Sequence, residues 1–280
     1  GIIGEQYDEN VIKDAEHKNN IINVGDAKYF HVSQLEDFGQ TAWGLTSADF
    51  NNDNNTDFAV SWTTSPATYA RITIFYNNGN AVFYRDNVFS HGTAYLNDLE
   101  SGDFDNDDDI DLMFSYRMGD GGYICIRFNK GNGIFGNETI IIKTGEPGNP
   151  EKRINPHITT ADYDKDGDLD LLVGDNSGMV EFYLNNGKAE FTSAGIIHDW
   201  GRGSWGITSA DFDNDNDIDF LVSAEEDDGF ATYTYLKRNT GLSTCFEPGP
   251  GEKISNNSIG RCLAYIDCDN DGDMDFLTGA

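Results

Sequence analysis

The segment Asp162-Tyr-Asp-Lys-Asp-Gly-Asp-Leu-Asp170, followed at once by Leu171-Leu-Val173, decides how this chain is read. Acids occupy its positions 1, 3, 5, 7 and 9, and a glycine holds position 6. The design recurs as Asp49-Phe-Asn-Asn-Asp-Asn-Asn-Thr-Asp57, Asp103-Phe-Asp-Asn-Asp-Asp-Asp-Ile-Asp111, Asp211-Phe-Asp-Asn-Asp-Asn-Asp-Ile-Asp219 and Asp267-Cys-Asp-Asn-Asp-Gly-Asp-Met-Asp275. The five starts lie 54, 59, 49 and 56 residues apart. Each copy runs into a short apolar stretch: Phe58-Ala-Val60, Leu112-Met-Phe114, Leu171-Leu-Val173, Phe220-Leu-Val222 or Phe276-Leu-Thr278. Such stretches are too short for helices and suit buried strands.

Further strand signals fill the interval. Ile72-Thr-Ile-Phe-Tyr76, Tyr123-Ile-Cys-Ile-Arg-Phe128, Val180-Glu-Phe-Tyr-Leu184 and Thr232-Tyr-Thr-Tyr-Leu236 are β-branched and aromatic. They end in the turns Asn77-Asn-Gly79, Asn129-Lys-Gly131, Asn185-Asn-Gly187 and Asn239-Thr-Gly241, each followed by one aromatic, Phe83, Phe135, Phe191 or Phe246. A strand also enters each acidic loop, clearest in Trp43-Gly-Leu-Thr-Ser-Ala48 and Trp205-Gly-Ile-Thr-Ser-Ala210. Four strands in a period of about 50 residues, with no helical periodicity between them, predict an all-β propeller of four-stranded blades. Residues 1–280 are read as one propeller domain of about five blade-equivalents, with residues 1–41 as the back half of a blade, because Asn23-Val-Gly25-Asp-Ala27-Lys-Tyr29 aligns with Asn185-Asn-Gly187-Lys-Ala189-Glu-Phe191. The ends fall at the same phase of the repeat. Two arrangements are open: a closed five-bladed ring, or a slice of a six- to eight-bladed propeller, which the absent initiator Met and the duplicated terminal strand favour. The Pro- and Gly-bearing stretches at residues 145–156 and 247–251 are expected to connect blades.

Asp or Asn at positions 1, 3, 5 and 9, with a backbone carbonyl at position 7, form an oxygen-only donor set on a tight loop, which suits calcium better than magnesium. Up to five Ca²⁺ ions are expected. In the first loop the residues are Asp49, Asn51, Asp53, Asn55 and Asp57; in the second Asp103, Asp105, Asp107, Asp109 and Asp111. The third offers Asp162, Asp164, Asp166, Asp168 and Asp170, the fourth Asp211, Asp213, Asp215, Asp217 and Asp219, and the fifth Asp267, Asp269, Asp271, Asp273 and Asp275. Position 6 should take positive φ, and it is Gly167, Gly272, Asn54, Asp108 or Asn216. An EF-hand is excluded, since the twelfth residue is Val60, Phe114, Val173, Val222 or Thr278 rather than Glu. A solvated turn without an ion would crowd up to six acids into nine residues with nothing to offset their repulsion. The first loop, with Asn51 and Asn55, is expected to bind most weakly, and the second, with the additional Asp108, carries the highest charge.

These loops, the strands after them and the Asn-Asn-Gly turn with its following Phe resemble the FG-GAP/VCBS repeat family, which includes the propellers of integrin α-subunits. The resemblance implies calcium at the loop positions named above and a ligand-binding face opposite the loops. Carried onto this chain, that face would include Trp43, Trp205, Arg202, Trp62, Tyr116 and Arg117, although the repeated Trp43 and Trp205 are expected to pack between blades. Most Phe-Gly and Gly-Ala-Pro elements of the integrin form are missing, with Phe38-Gly39 and Gly279-Ala280 as partial echoes, so an integrin-like partner is not implied.

The formal charge of −31 comes from 49 acidic and 18 basic residues and disfavours nucleic acid and anionic membrane surfaces as partners. The five loops hold 24 of those acids, so the remaining 25 face the 18 bases and the acidity is local. Aromatics at 12% argue for a packed core rather than acidic disorder. No apolar run is long enough for a spanning helix, so membrane insertion is not expected. The histidines (His17, His31, His91, His157, His198) form no motif, and no nucleophile elbow or P-loop occurs. Cys125, Cys245, Cys262 and Cys268 include no CxxC pair; Cys268 reads as a core residue, with a Cys262 disulfide as the alternative. Sequons stand at Asn54, Asn137 and Asn256. The leading expectation is a secreted or cell-surface calcium-binding propeller that recognises a protein or glycan and is not an enzyme. The alternatives are the propeller of a polysaccharide lyase or hydrolase, and a structural subunit of a surface layer or filament that contacts copies of itself.

Overall fold

Unbroken apolar runs after the acidic loops mean strands buried on both sides, and the computed structural model shows how that arises. It describes residues 20–24, 27–31, 42–63, 69–80, 82–92, 94–119, 121–145, 155–225, 232–241, 245–255, 262–267 and 271–279. The chain divides into two compact units, Gly1–Gly39 and Gln40–Ala280. In the first, β1 (Asn20–Val24) and β2 (Ala27–His31) pair antiparallel with Val24 opposite Ala27.

The second unit is a succession of antiparallel blades, as the sequence predicts. Blade A contains β3 (Ala42–Ala48), β4 (Asp57–Thr63), β5 (Ala70–Asn77) and β6 (Phe83–His91). Blade B contains β7 (Tyr95–Gly102), β8 (Asp111–Met118), β9 (Gly121–Asn129) and β10 (Phe135–Thr144). Blade C is formed by β11 (His157–Ala161), β12 (Asp170–Gly174), β13 (Met179–Leu184) and β14 (Thr192–Asp199). Blade D has β15 (Arg202–Ala210), β16 (Asp219–Glu225), β17 (Thr232–Lys237) and a short β18 (Glu252–Lys253). A two-stranded sheet, β19 (Cys262–Ile266) with β20 (Asp275–Gly279), follows. The first strands lie side by side in chain order, β3 against β7, β7 against β11, β11 against β15 and β15 against β19, which is the inner layer of a propeller.

The core lies between blades. Leu112 and Phe114 of β8 join the cluster shared with blade A, whereas Met113 between them joins the cluster shared with blade C. Likewise Leu171 and Val173 face blade B, and Leu172 faces blade D. Strand alternation therefore divides one apolar run between two cores, which is why these second strands show no polar face.

One expected connection lies elsewhere. Residues 247–251 precede β18 and so belong to blade D rather than to a link between blades. The cause is Lys237, whose buried ammonium donates to the carbonyls of Glu247 at 2.5 Å and Gly249 at 2.8 Å, folding this stretch across the end of β17.

Candidate metal centres

Each acidic loop joins the first strand of a sheet to the second, and the loops share one internal wiring. The position-1 carboxylate accepts backbone N–H groups from further round the turn: Asp49 from Asp53 and Asn54, Asp103 from Asp107 and Asp108, Asp211 from Asp215 and Asn216, at 2.6–3.2 Å. Asp162 and Asp267 accept from Gly167 and Gly272 at 3.2 Å. Position 6 has positive φ in all five loops, as expected: Asn54 65°, Asp108 69°, Gly167 98°, Asn216 69° and Gly272 96°. Position 4 does so too in the four loops where it is described, which the sequence reading missed: Asn52 60°, Asn106 57°, Lys165 62° and Asn214 60°. Asn tolerates that region best among residues with a Cβ, and its recurrence at position 4 was the available signal.

The ninth-position Asp does more than close the loop. In blade B both Asp111 oxygens accept backbone N–H groups, from Phe104 at 3.3 Å and from Asn129, at the end of β9, at 2.8 Å. Asp57, Asp170 and Asp219 do the same with Phe50 and Asn77, Tyr163 and Asn185, and Phe212 and Asn239. All four are buried.

Positions 1, 3 and 9 converge. Asp103, Asp105 and Asp111 place carboxylate oxygens within 4.8 Å of one another, as do Asp162, Asp164 and Asp170, and Asp211, Asp213 and Asp219. In loop 1 the third position is Asn51, whose Oδ1 accepts from the Asp53 N–H at 3.1 Å. In loop 5 the third position, Asp269, lies outside the described residues. Buried carboxylate oxygens without a hydrogen-bond partner mark three of the loops: Asp105 Oδ1, Asp162 Oδ1 and Asp267 Oδ1. Oxygen-only convergence and orphaned buried oxygens fit a hard divalent cation. Burial, then the nearby carboxylates, push Asp111 and Asp170 up to about 7 and Asp219 to about 6, against the hydrogen bonds they accept.

Position 5 stands outside these triads. Asp53, Asp107, Asp166, Asp215 and Asp271 each accept the backbone N–H of position 7, at 2.8–3.1 Å. Position 7 was expected to offer its carbonyl, yet its side chain has a separate task. Asn52 donates to Asp109 at 2.7 Å and Asn106 to Asp168 at 2.6 Å; Lys165 pairs with Asp217, and Asn214 donates to Asp273. Position 4 of one loop thus holds position 7 of the next. The turn glycines allow this crowding: a Cβ on Gly187 (φ +69°) would lie 2.7 Å from both Asn106 Nδ2 and Asp168 Oδ1. A second tie uses the turn Asn. Asn129 Nδ2 donates to the carbonyls of Ile110 in its own loop and Phe50 in the preceding one, and Asn185 does so to Leu169 and Phe104. Asn239 reaches back to Tyr163.

The opposite end of the blades is only partly as the resemblance implied. Trp62 and Tyr116 are buried, and the Trp62 indole donates to Thr73 at 3.0 Å, so neither offers a surface to a ligand. Trp205 is half-buried with its indole on Glu225 at 2.9 Å, whereas Trp43 is 56% exposed, so the two do not share one packing role. Exposed Tyr69 and Tyr95 stand at the same end as Trp43, with Arg117 paired across the strands from Tyr95 and Arg202 exposed at the start of β15. Among the remaining single residues, His157 sits 3.7 Å from Asp98 and His198 packs edge-on against Trp200. Cys125 and Cys245 are buried free thiols, and the side chains of Cys262 and Cys268 lie outside the described residues.

Four-stranded blades whose first two strands are joined by acidic loops define a β-propeller, and among the described residues three of those loops, the second, third and fourth, bring together carboxylates that could hold a cation. A family model described as an FG-GAP-like repeat matches residues 103–173 and 162–222. No curated protein matches the chain. Among solved structures, that of an Agrocybe aegerita lectin, described as specifically recognising non-reducing terminal N-acetylglucosamine, is similar with a TM-score of 0.44 and 17% identity. The match covers 76% of this chain and 66% of that one. The sugar preference is that lectin's own.

Proposed function

We propose that this protein is an extracellular calcium-stabilised binding module, with Ca²⁺ holding the acidic loops and the opposite end of the blades recognising a protein or glycan. The observation that carries the calcium reading is the convergence of positions 1, 3 and 9 together with the unpartnered buried oxygens of Asp105 and Asp162. In each loop the position-1, position-3 and position-9 side chains would hold the ion, with position 5 and the carbonyl of position 7 completing the shell. The ion supplies charge neutralisation and a fixed link between the first two strands; no reaction is assigned to it. Dissociation constants of about 10⁻⁴ to 10⁻³ M are those at which extracellular calcium modules work. Binding to the folded state alone raises stability with calcium concentration. Calorimetric titration with CaCl₂ should give several sites per chain, and EGTA should lower the melting temperature by several degrees. Heat of dilution only, with an unchanged melt, would overturn the calcium role.

A further inference from the structure

The fourth loop differs from its neighbours in what surrounds its carboxylates. At position 4 of the preceding loop the other rungs use a neutral Asn, namely Asn52, Asn106 and Asn214, but the rung into loop 4 is Lys165, paired with Asp217. Lys165 Nζ also feels Asp215 and Asp211. A second cation arrives from within blade D. Arg238 Nε lies 3.2 Å from Asp213 Oδ2, on the third position of the loop, while its other end is held by Glu252 of β18 at 2.8 Å. The residues matching Arg238 before the turn Asn of the other blades are Tyr76, Phe128 and Leu184, none of them charged. Among the described residues no Lys or Arg pairs with a carboxylate of loops 2 and 3; Lys165 is itself position 4 of loop 3 but its ammonium is turned to Asp217, so of these three loops only loop 4 has carboxylates held by Lys and Arg.

We infer that loop 4 is partly neutralised by the chain's own cations: Lys165 and Arg238 hold Asp217 and Asp213, so this loop keeps its conformation without calcium and takes calcium after loops 2 and 3. The inference rests on the calcium reading for its second half only. Self-repulsion is what a bare acidic loop must overcome, and two fixed positive charges relieve it as part of an ion would. The same charges oppose an incoming divalent cation, and Arg238 engages one oxygen of a carboxylate in the ligand triad. Loop 2, and loop 3 whose one Lys is turned to Asp217, have no carboxylate held in this way and gain more from the ion than loop 4. The first loop, weak through its Asn residues, is weak for lack of charge; the fourth is weak because its charge is already met.

Hydrogen exchange of the full chain, followed by mass spectrometry at the loop peptides, separates the two halves. In EGTA the backbone amides of residues 211–219 should be protected about fivefold or more over those of residues 103–111 and 162–170. Across a calcium titration their protection should reach its midpoint at the highest concentration of the three. The double variant Lys165→Asn, Arg238→Leu uses residues already present at the matching places, Asn106 and Leu184. It should lose the EGTA protection and move the loop 4 midpoint down about tenfold, the scale of two unit charges near a divalent ion in a solvated, screened setting. The single variants should each do part of this if the double variant fails to fold, and the charge-preserving Lys165→Arg, Arg238→Lys should leave both readouts near wild type. Equal exchange of the three loops in EGTA, or variants indistinguishable from wild type, would overturn the inference. If calcium protects no loop, the calcium reading falls and the EGTA comparison alone decides the compensation.

Discussion

Asp111 shows how much one side chain carries in this repeat. Its two oxygens take the amides of Phe104 and Asn129, tying the entry of the loop to the end of the third strand, and it also belongs to the Asp103–Asp105 triad. Replacing it with Ala leaves two amides without their acceptor, at a cost of about 1–3 kcal/mol for each that stays buried. Asp111→Ala should therefore lower unfolding stability by about 2–4 kcal/mol in EGTA, and by more in calcium, as measured by urea denaturation. An equal loss in both conditions would separate Asp111 from the ion. Spacing identified this Asp as a ligand, because alternate acids before a strand are local information. The bond to Asn129 was not legible: its amide lies 18 residues along the chain, and only the folded blade brings it to the carboxylate.

Whole loops respond to pH in a direction set by their ninth positions. Asp111 and Asp170 at about 7 and Asp219 at about 6 in the folded, ion-free protein lie above the ordinary carboxylate value, chiefly through burial. An acid whose folded pKa is raised binds more protons folded than unfolded, so stability falls as pH rises from about 4 through 7. In EGTA the melting temperature should be higher at pH 5.5 than at pH 8, and saturating calcium should shrink or reverse the difference by favouring the ionised carboxylates. A chelated protein that melts higher at pH 8 would contradict this. The elements themselves were largely readable. The runs Leu112-Met-Phe114 and Leu171-Leu-Val173 became β8 and β12, since strands buried on both sides must be apolar throughout. The stretch at residues 247–251 misled, because Pro and Gly mark any sharp turn, and nothing local announces that a buried Lys237 needs carbonyls above it.

At the scale of the Gln40–Ala280 unit, strand direction separates two ends with different chemistry. Every acidic loop follows a first strand, so the loops share one end, while Trp43, Tyr69 and Tyr95 are exposed at 56%, 54% and 53% at the other. Exposed aromatic rings, with Arg117 across the strands from Tyr95, are suited to stacking on sugars or anchoring a protein loop. A glycan array probed with calcium-loaded protein should return binders whose signal drops at least about tenfold in the double variant Trp43→Ala, Tyr95→Ala, with the calcium isotherm unchanged. Retained binding would move the recognition surface elsewhere. Composition foretold this division, since 24 of the 49 acids belong to the loops, but it could not say that Trp62 and Tyr116 face inward, which depends on strand register. The ties between loops carry one more consequence. Each blade presents a donor from position 4 and a carbonyl from position 2 to the blade after it, and a position-7 acceptor and a turn-Asn amide to the blade before it. The joint is head-to-tail and keeps the same donor-to-acceptor polarity from blade A to blade D, with Lys165 in place of Asn at the seam between C and D, so a tandem duplication or loss of one whole repeat leaves a new seam with a donor facing an acceptor. Blade number in such a protein can therefore change by copying DNA alone, without any compensating substitution at the joints.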